Sequence, residues 1–173
     1  MTSPHRIVTP LVLALTAALT AAAPLRAQDG LHLELGAAGG VYDCFSCESE
    51  WGVEGSLFAG AGVSRRLVVG AEAAVGQHGE SGGDAAYVHG GLGARFSPAA
   101  APRLHLRAGT GLVVAATGQG GAVSLGILLS AGLGWRIPLS PSVSLTPTIT
   151  ARTAIESAEP LRMVLAGVSL GRP

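Results

Sequence analysis

Leu67-Val68-Val69-Gly70-Ala71-Glu72-Ala73-Ala74-Val75-Gly76 is the stretch that decides the fold. In an extended chain Leu67, Val69, Ala71, Ala73 and Val75 share one side, and Val68, Gly70, Glu72, Ala74 and Gly76 share the other. A period of two marks a β-strand and excludes a helix. The first face is aliphatic throughout. The second is small, with one acid set into it.

The scheme recurs outward from this segment in both directions. Runs starting near Leu31, Val53, Leu67, Ala86, Leu104, Val123, Val143 and Val164 set Leu, Val, Ala or Ile against Gly, Ser, Thr, His, Glu or Arg. That predicts eight strands of about ten residues, the length a tilted membrane-spanning strand needs. Their connections form two alternating sets. Ser64-Arg65-Arg66, Ser97 to Arg103 and Pro138 to Pro141 read as short or Pro-marked turns. Asp43 to Gly52, Gln77 to Asp84, Ala116 to Gly121 and Ala154 to Pro160 read as looser loops, and three of them are polar or acidic. An even strand number with turns at one rim and loops at the other is the outer-membrane pattern. Pro147 within the seventh run interrupts the ladder unless a bulge accommodates it.

Composition narrows the class. The 173 residues carry no formal net charge; 48% are hydrophobic, 13% charged and 4% aromatic, and 26 are glycine. Every basic residue is arginine. A balanced charge removes the electrostatic case for nucleic-acid binding. The apolar content excludes a disordered chain, and the glycines lack a G-X-Y period. A soluble strand face would not be made of glycine, which weakens strands and adds no solubility. Glycine does suit the crowded inside of a small barrel. The aliphatic face is therefore expected to point outward into lipid, with the small and charged face inside.

Residues 1–27 read as a secretory signal peptide. Arg6 lies in a short start, an apolar run follows from Ile7 to Ala23, and Leu25-Arg26-Ala27 offers a cleavage end. Residues 28–173 then form one domain by length. Without residues 1–27, nine arginines face eleven acids, for a net charge near −2.

Gly30-Leu31-His32-Leu33-Glu34-Leu35-Gly36, Leu67-Val68-Val69-Gly70-Ala71-Glu72 and the stretch from Gly132 through Trp135 to Ser144-Leu145-Thr146-Pro147 carry a family resemblance. The chain resembles the small eight-stranded outer-membrane barrels of OmpA/OmpX type. It is more similar still to the outer-membrane β-barrel domain proteins of Gram-negative bacteria. The resemblance implies an all-β, eight-stranded, antiparallel up-and-down transmembrane barrel in the outer membrane. Its implied partners are outer-membrane lipid and, during insertion, the barrel-assembly machinery. It brings no cofactor and no catalytic motif. Such barrels carry aromatic girdles, and Phe96 and Trp135 suit one thin girdle at the turn side. They also tend to end on an aromatic residue, where this chain has Leu170-Gly171-Arg172-Pro173.

Three groups of residues could carry chemistry. Cys44 and Cys47, in Cys-Phe-Ser-Cys, are expected to form a local disulfide in an exported protein. A redox centre would need a nearby cation or helix N-terminus, whereas Asp43, Glu48 and Glu50 surround this pair. A zinc site would need two further ligands. Glu34, Glu54 and Glu72 lie on the inward face of the first three strands, and Arg95, Arg107, Arg136 and Arg152 on that of the fourth to seventh. They are expected to pair across the lumen as an ion-pair plug, because a buried charge demands a partner; a small polar pore or cavity is the functional alternative. His32, His78, His89 and His105 are scattered, with no Ser-His-Asp order or His-x-x-x-His pair, so no metal site and no catalysis is expected. The leading expectation is a structural or surface-interacting envelope protein. Two alternatives are a narrow pore or small-ligand barrel, and a soluble periplasmic barrel holding an apolar ligand.

Overall fold

The period-two runs become a ring. The computed structural model describes residues 30–44, 49–80, 83–116, 123–155 and 161–172. Its strands are β1 (Leu31–Cys44), β2 (Glu50–Ser64), β3 (Leu67–Glu80), β4 (Gly83–Phe96), β5 (Leu104–Ala116), β6 (Val123–Trp135), β7 (Ile137–Ser140), β8 (Val143–Ile155) and β9 (Leu161–Arg172). Chain neighbours pair antiparallel. The β1–β9 ladder and the β6–β8 ladder close the sheet on itself. The segment 1–27 and Cys47 lie outside the described residues; Cys44 is the last residue of β1.

Nine elements make eight barrel strands, because β6 and β7 are one strand broken at Arg136. Both hold the same register against β8: Gly134 faces Thr148, and Ile137 faces Leu145. Pro147 is the cause. Arg136 donates its N–H to the Arg103 carbonyl on the β5 side at 2.7 Å. On an antiparallel strand the backbone groups of successive residues point to opposite neighbours, so Trp135 turns its groups toward β8. Its register partner there is residue 147, whose proline nitrogen has no hydrogen to donate. The ladder skips one rung and resumes.

Side-chain direction follows the pleat. Leu35, Leu92, Leu112, Leu125, Ile149 and Val164 are each more than half exposed, while Glu54, Glu72, His89, Arg95 and Arg152 are buried. The aliphatic face is outward and the charged face inward, all round the ring. An aliphatic surface of this extent is a lipid or partner surface, not a water-facing one. The 13-residue β5, at about 3.3 Å per residue and a tilt near 40°, reaches roughly 33 Å along the axis, more than the apolar band of about 25 Å requires.

The strands run longer than ten residues, chiefly at the loop end. Gln77 to Glu80 and Gly83-Asp84 fall in an expected loop, yet they continue the β3–β4 ladder down to Glu80 facing Gly83. Backbone pairing carries them even though their side chains break the apolar pattern. At the turn end, Ile137–Ser140 extends the strand into a stretch expected to be a turn, leaving the chain to reverse at Pro141-Ser142.

Inside the barrel, glycine makes room for large neighbours. Gly76 lies opposite Tyr87, and a Cβ at Gly76 would fall on the Tyr87 ring. The buried apolar cluster is Tyr42, Tyr87, Val113, Leu128, Met163 and Leu165, with Ala154 beside them. All sit toward the loop end of their strands.

Gly76→Val is therefore expected to push Tyr87 from its seat and to destabilise the fold by about 1–3 kcal/mol, the usual range for overpacking. Gly55 faces outward with open space around it, and Gly55→Val should leave stability nearly unchanged. Urea midpoints of the two refolded variants, followed by tryptophan fluorescence, check the contrast.

Candidate functional site

The lumen is built in layers, each from the inward positions of several strands. In the middle layer Glu34 comes from β1, Glu54 from β2, Glu72 from β3, Arg95 from β4, Arg107 from β5 and Arg152 from β8. Arg95 donates to Glu72 Oε2 at 2.8 Å, and its Nε lies 3.6 Å from Glu34. Arg107 bridges to Glu34, and Arg152 to Glu54. Arg152 also reaches Glu72 Oε1 at 3.3 Å. Arg95 lies over the Phe58 ring, 4.0 Å from its centroid, a cation–π contact that further shields the guanidinium. Three carboxylates thus meet three guanidiniums, and the layer is neutral as it stands.

The remaining space there is small. A cavity of about 20 Å³ lies among Glu34, Phe58, Glu72, Arg95, Arg107 and Arg152, room for about one water molecule. An eight-stranded barrel has an interior that side chains just fill, and this network fills it.

The network continues toward the loops. The Tyr87 hydroxyl donates to Glu54 Oε2 at 2.6 Å and lies 3.2 Å from the Tyr42 hydroxyl. Tyr42 stacks on His78, with ring centroids 4.9 Å apart, and His78 Nδ1 lies 3.1 Å from Glu50. Around the two tyrosines Val113, Leu128, Met163 and Leu165 close the lumen with apolar atoms. His89 is buried beside this layer, with neither ring nitrogen hydrogen-bonded among the described residues.

The turn end differs. A wider vestibule of about 280 Å³ opens there, lined among others by Arg65, Arg66, Arg95, His105 and Arg136. The seven residues grouped as lumen charges in the sequence therefore separate: six form the central network and Arg136 stands apart. It lies one position past the end of β6, at the rim, where Glu34 acts on it through space but no salt bridge forms among the described residues, and its Nε finds no hydrogen-bond partner among them.

Phe96 and Trp135 lie exposed on the outer face at the turn-side ends of β4 and β6, 42% and 48% exposed. Trp51, placed in a loop by the sequence pattern, is outward at the loop-side start of β2 and 73% exposed, so aromatic residues mark both rims. Sequence reasoning also missed the Tyr42–Tyr87 layer. The signal that could have found it was Tyr42, Tyr87 and Met163 recurring on the inward face, near strand ends that meet at one rim.

A buried ion network responds steeply to loss of one partner. Glu72 accepts from two arginines and its side chain is 7% exposed. Glu72→Gln would leave Arg95 and Arg152 under-neutralised, and a loss of about 3–5 kcal/mol is expected. Glu34→Gln, at the more open end of the network with 14% exposure, should cost less. Denaturant unfolding of both variants alongside the native chain tests the order.

No protein-family model matches this sequence, and no curated protein sequence does. Solved structures do. The barrel is similar to Neisserial surface protein A (NspA), at 16% identity over 83% of this chain and 97% of that one, with a TM-score of 0.69. It is similar to Ail, the attachment invasion locus protein of Yersinia pestis, at 13% identity over 82% of this chain and 97% of that one, with a TM-score of 0.57. The N-terminal β-barrel domain of Pseudomonas aeruginosa OprF matches at 13% identity over 81% of this chain and 96% of that one, with a TM-score of 0.50. With its closed ring, outward aliphatic face and filled lumen, this chain has the fold of the small eight-stranded outer-membrane β-barrels.

Proposed function

We propose that this chain is an integral outer-membrane protein of a Gram-negative envelope, exported by the signal peptide at residues 1–27, with a structural or surface-interaction role and no catalysis. The observation that carries the reading is the pairing of a continuous outward aliphatic belt with a lumen closed by six charges and an apolar layer. The belt needs lipid. The closed lumen leaves the loop end as the working surface. Two fold neighbours bear surface or attachment in their names, which agrees with that choice. In this reading a Cys44–Cys47 disulfide stiffens the first loop, lipid covers the belt, and the barrel-assembly machinery inserts the chain.

The competing readings need features that are missing from the lumen among the described residues. A pore needs a continuous wet path, and the apolar side chains around Tyr42 and Tyr87 lie across it. A soluble barrel with an apolar ligand needs an apolar interior, and this interior carries the Glu–Arg network.

Protein expressed with its leader should stay in the membrane pellet after carbonate washing and run on SDS gels at a position that shifts on boiling. In planar bilayers it should give no steady conductance. A soluble, unshifted product would overturn the membrane reading. Regular conductance steps would overturn the closed lumen while leaving the barrel intact.

A further inference from the structure

We propose that the turn-end vestibule is a binding site for a phosphate-class oxyanion. The membrane reading supplies only its access, from the periplasmic side; the geometry of the site stands without it.

The argument begins with the charge balance one layer deeper. Glu34, Glu54 and Glu72 are matched by Arg95, Arg107 and Arg152. Every one of these carboxylates is already bridged, so the rim arginines have none to pair with, although Glu34 acts on Arg136 through space. Arg65 and Arg66 sit in the β2–β3 turn and Arg136 at the β6–β7 break, and none of the three forms a salt bridge among the described residues. The β2–β3 turn and the β6–β7 break are far apart in sequence, yet their arginines line one cavity with no acid in its wall. Like charges gathered around a concave space repel one another, and an anion placed among them relieves that repulsion.

The backbone that carries the donors is held in place. The Ser97 backbone N–H donates to the Arg66 carbonyl at 2.8 Å, fixing the β2–β3 turn against the end of β4. Ser64 Oγ accepts from the backbone N–H groups of Arg66 and Leu67 at 3.3 and 3.2 Å, shaping the same turn. The Arg136 backbone is pinned to Arg103. His105 is 4% exposed and lines the cavity; its Nδ1 lies 3.4 Å from Ser97 Oγ, while its Nε2 has no partner among the described residues. When the Ser97 hydroxyl donates to Nδ1, Nε2 carries the proton and is an unused donor. The buried Nε of Arg136 is a second.

The ligand class follows from donor count and direction. A guanidinium fork matches carboxylate and phosphate alike. Three forks from two facing segments, with an imidazole N–H beside them, exceed what the two oxygens of one carboxylate can accept. They suit the three or four oxygens of a phosphate. The volume of about 280 Å³ admits a phosphate with a small organic group and lies just below the usual range for drug-sized ligands. The same chemistry is offered by a soluble phosphomonoester and by the headgroup of an inner-leaflet phospholipid.

The full chain, refolded in an uncharged alkyl glucoside and checked for its heat-shifted gel form, is titrated calorimetrically with inorganic phosphate and with glycerol phosphate in chloride buffer. Saturable binding is expected, weakened at least tenfold by Arg136→Gln and by Arg65→Gln, and unchanged by Arg162→Gln at the loop end. Arg65→Gln lies in an exposed turn, so it serves where Arg136→Gln fails to refold. Repeating the titration in phosphatidylcholine nanodiscs with and without phosphatidic acid separates the sources. Loss of glycerol phosphate binding in the presence of phosphatidic acid assigns the site to a lipid headgroup, and persistence assigns it to a soluble anion. No saturable binding above the chloride background, or binding indifferent to both arginine variants, overturns the proposal. Because the assay runs in detergent, a failed membrane reading would show instead as a missing heat shift.

Discussion

Ring closure is the constraint on which everything else rests. In hydrocarbon no water is available for an unpaired backbone N–H or C=O, so a strand can exist there only with a partner on both sides. The β1–β9 and β6–β8 ladders supply the last two partners. Once the ring is closed, each residue has only two destinations, lipid or lumen. The period-two sequence is the direct consequence. The irregularities also make sense in this frame: the Gly62/Ser64 and Pro138/Ser140 register shifts and the rung removed by Pro147 all lie toward the turn rim, where Trp135 marks the edge of the apolar band, and not at mid-membrane where a lost hydrogen bond would cost most.

Eight strands set the lumen's width, and that width dictates its contents. The interior is too narrow for a bulky residue at every inward position and too wide for glycine alone. The chain alternates the two, with Gly76 opposite Tyr87, and Gly60, where a Cβ would meet Phe58 Cζ at 2.7 Å. Charges enter the same space only as neutral sets. Such a network contributes little net stability beyond what apolar packing would give, since desolvation offsets the attraction. What it contributes is register. Arg152 must stand level with both Glu54 and Glu72 across the lumen, and a strand slipped by one residue would throw its charge into lipid.

Much of this was legible in the sequence. The alternation identified the strands, and the glycine-rich character of one face identified it as inward, because composition differs most between lipid and a crowded lumen. The inward position of Glu34, Glu54, Glu72, Arg95, Arg107 and Arg152 followed from parity alone. That they would pair across the lumen was an expectation too; which arginine meets which acid was not legible, because it depends on stagger between strands that are distant in sequence, such as β2 and β8. The strand ends were hidden for a different reason. Past the apolar band the outward face no longer needs lipid-compatible side chains, so Gln77 and Gly79 look like loop although the ladder continues. The apolar inner layer was obscured by the rule that revealed the strands: Tyr42, Tyr87 and Met163 face inward, and a pattern that assigns apolar residues to lipid passes over them.

The three layers also differ in what they let through. An ion entering from the loop end would pass the Glu50–His78 pair and then meet the layer around Tyr42 and Tyr87, where Val113, Leu128, Met163 and Leu165 offer little to replace its hydration shell. One entering from the turn end would meet arginines before it reached the neutral network, so cations are repelled at the mouth while anions are held there. Opening a path would require separating Arg95 and Arg152 from Glu72, leaving charges unpaired in a space with room for about one water. Among the described residues the lumen is thus filled over its loop-side and central layers and widest at its basic end. That asymmetry arises from placing the unbalanced arginines in turns and at a strand break, where the backbone leaves the membrane, and the balanced ones at mid-strand, where it cannot.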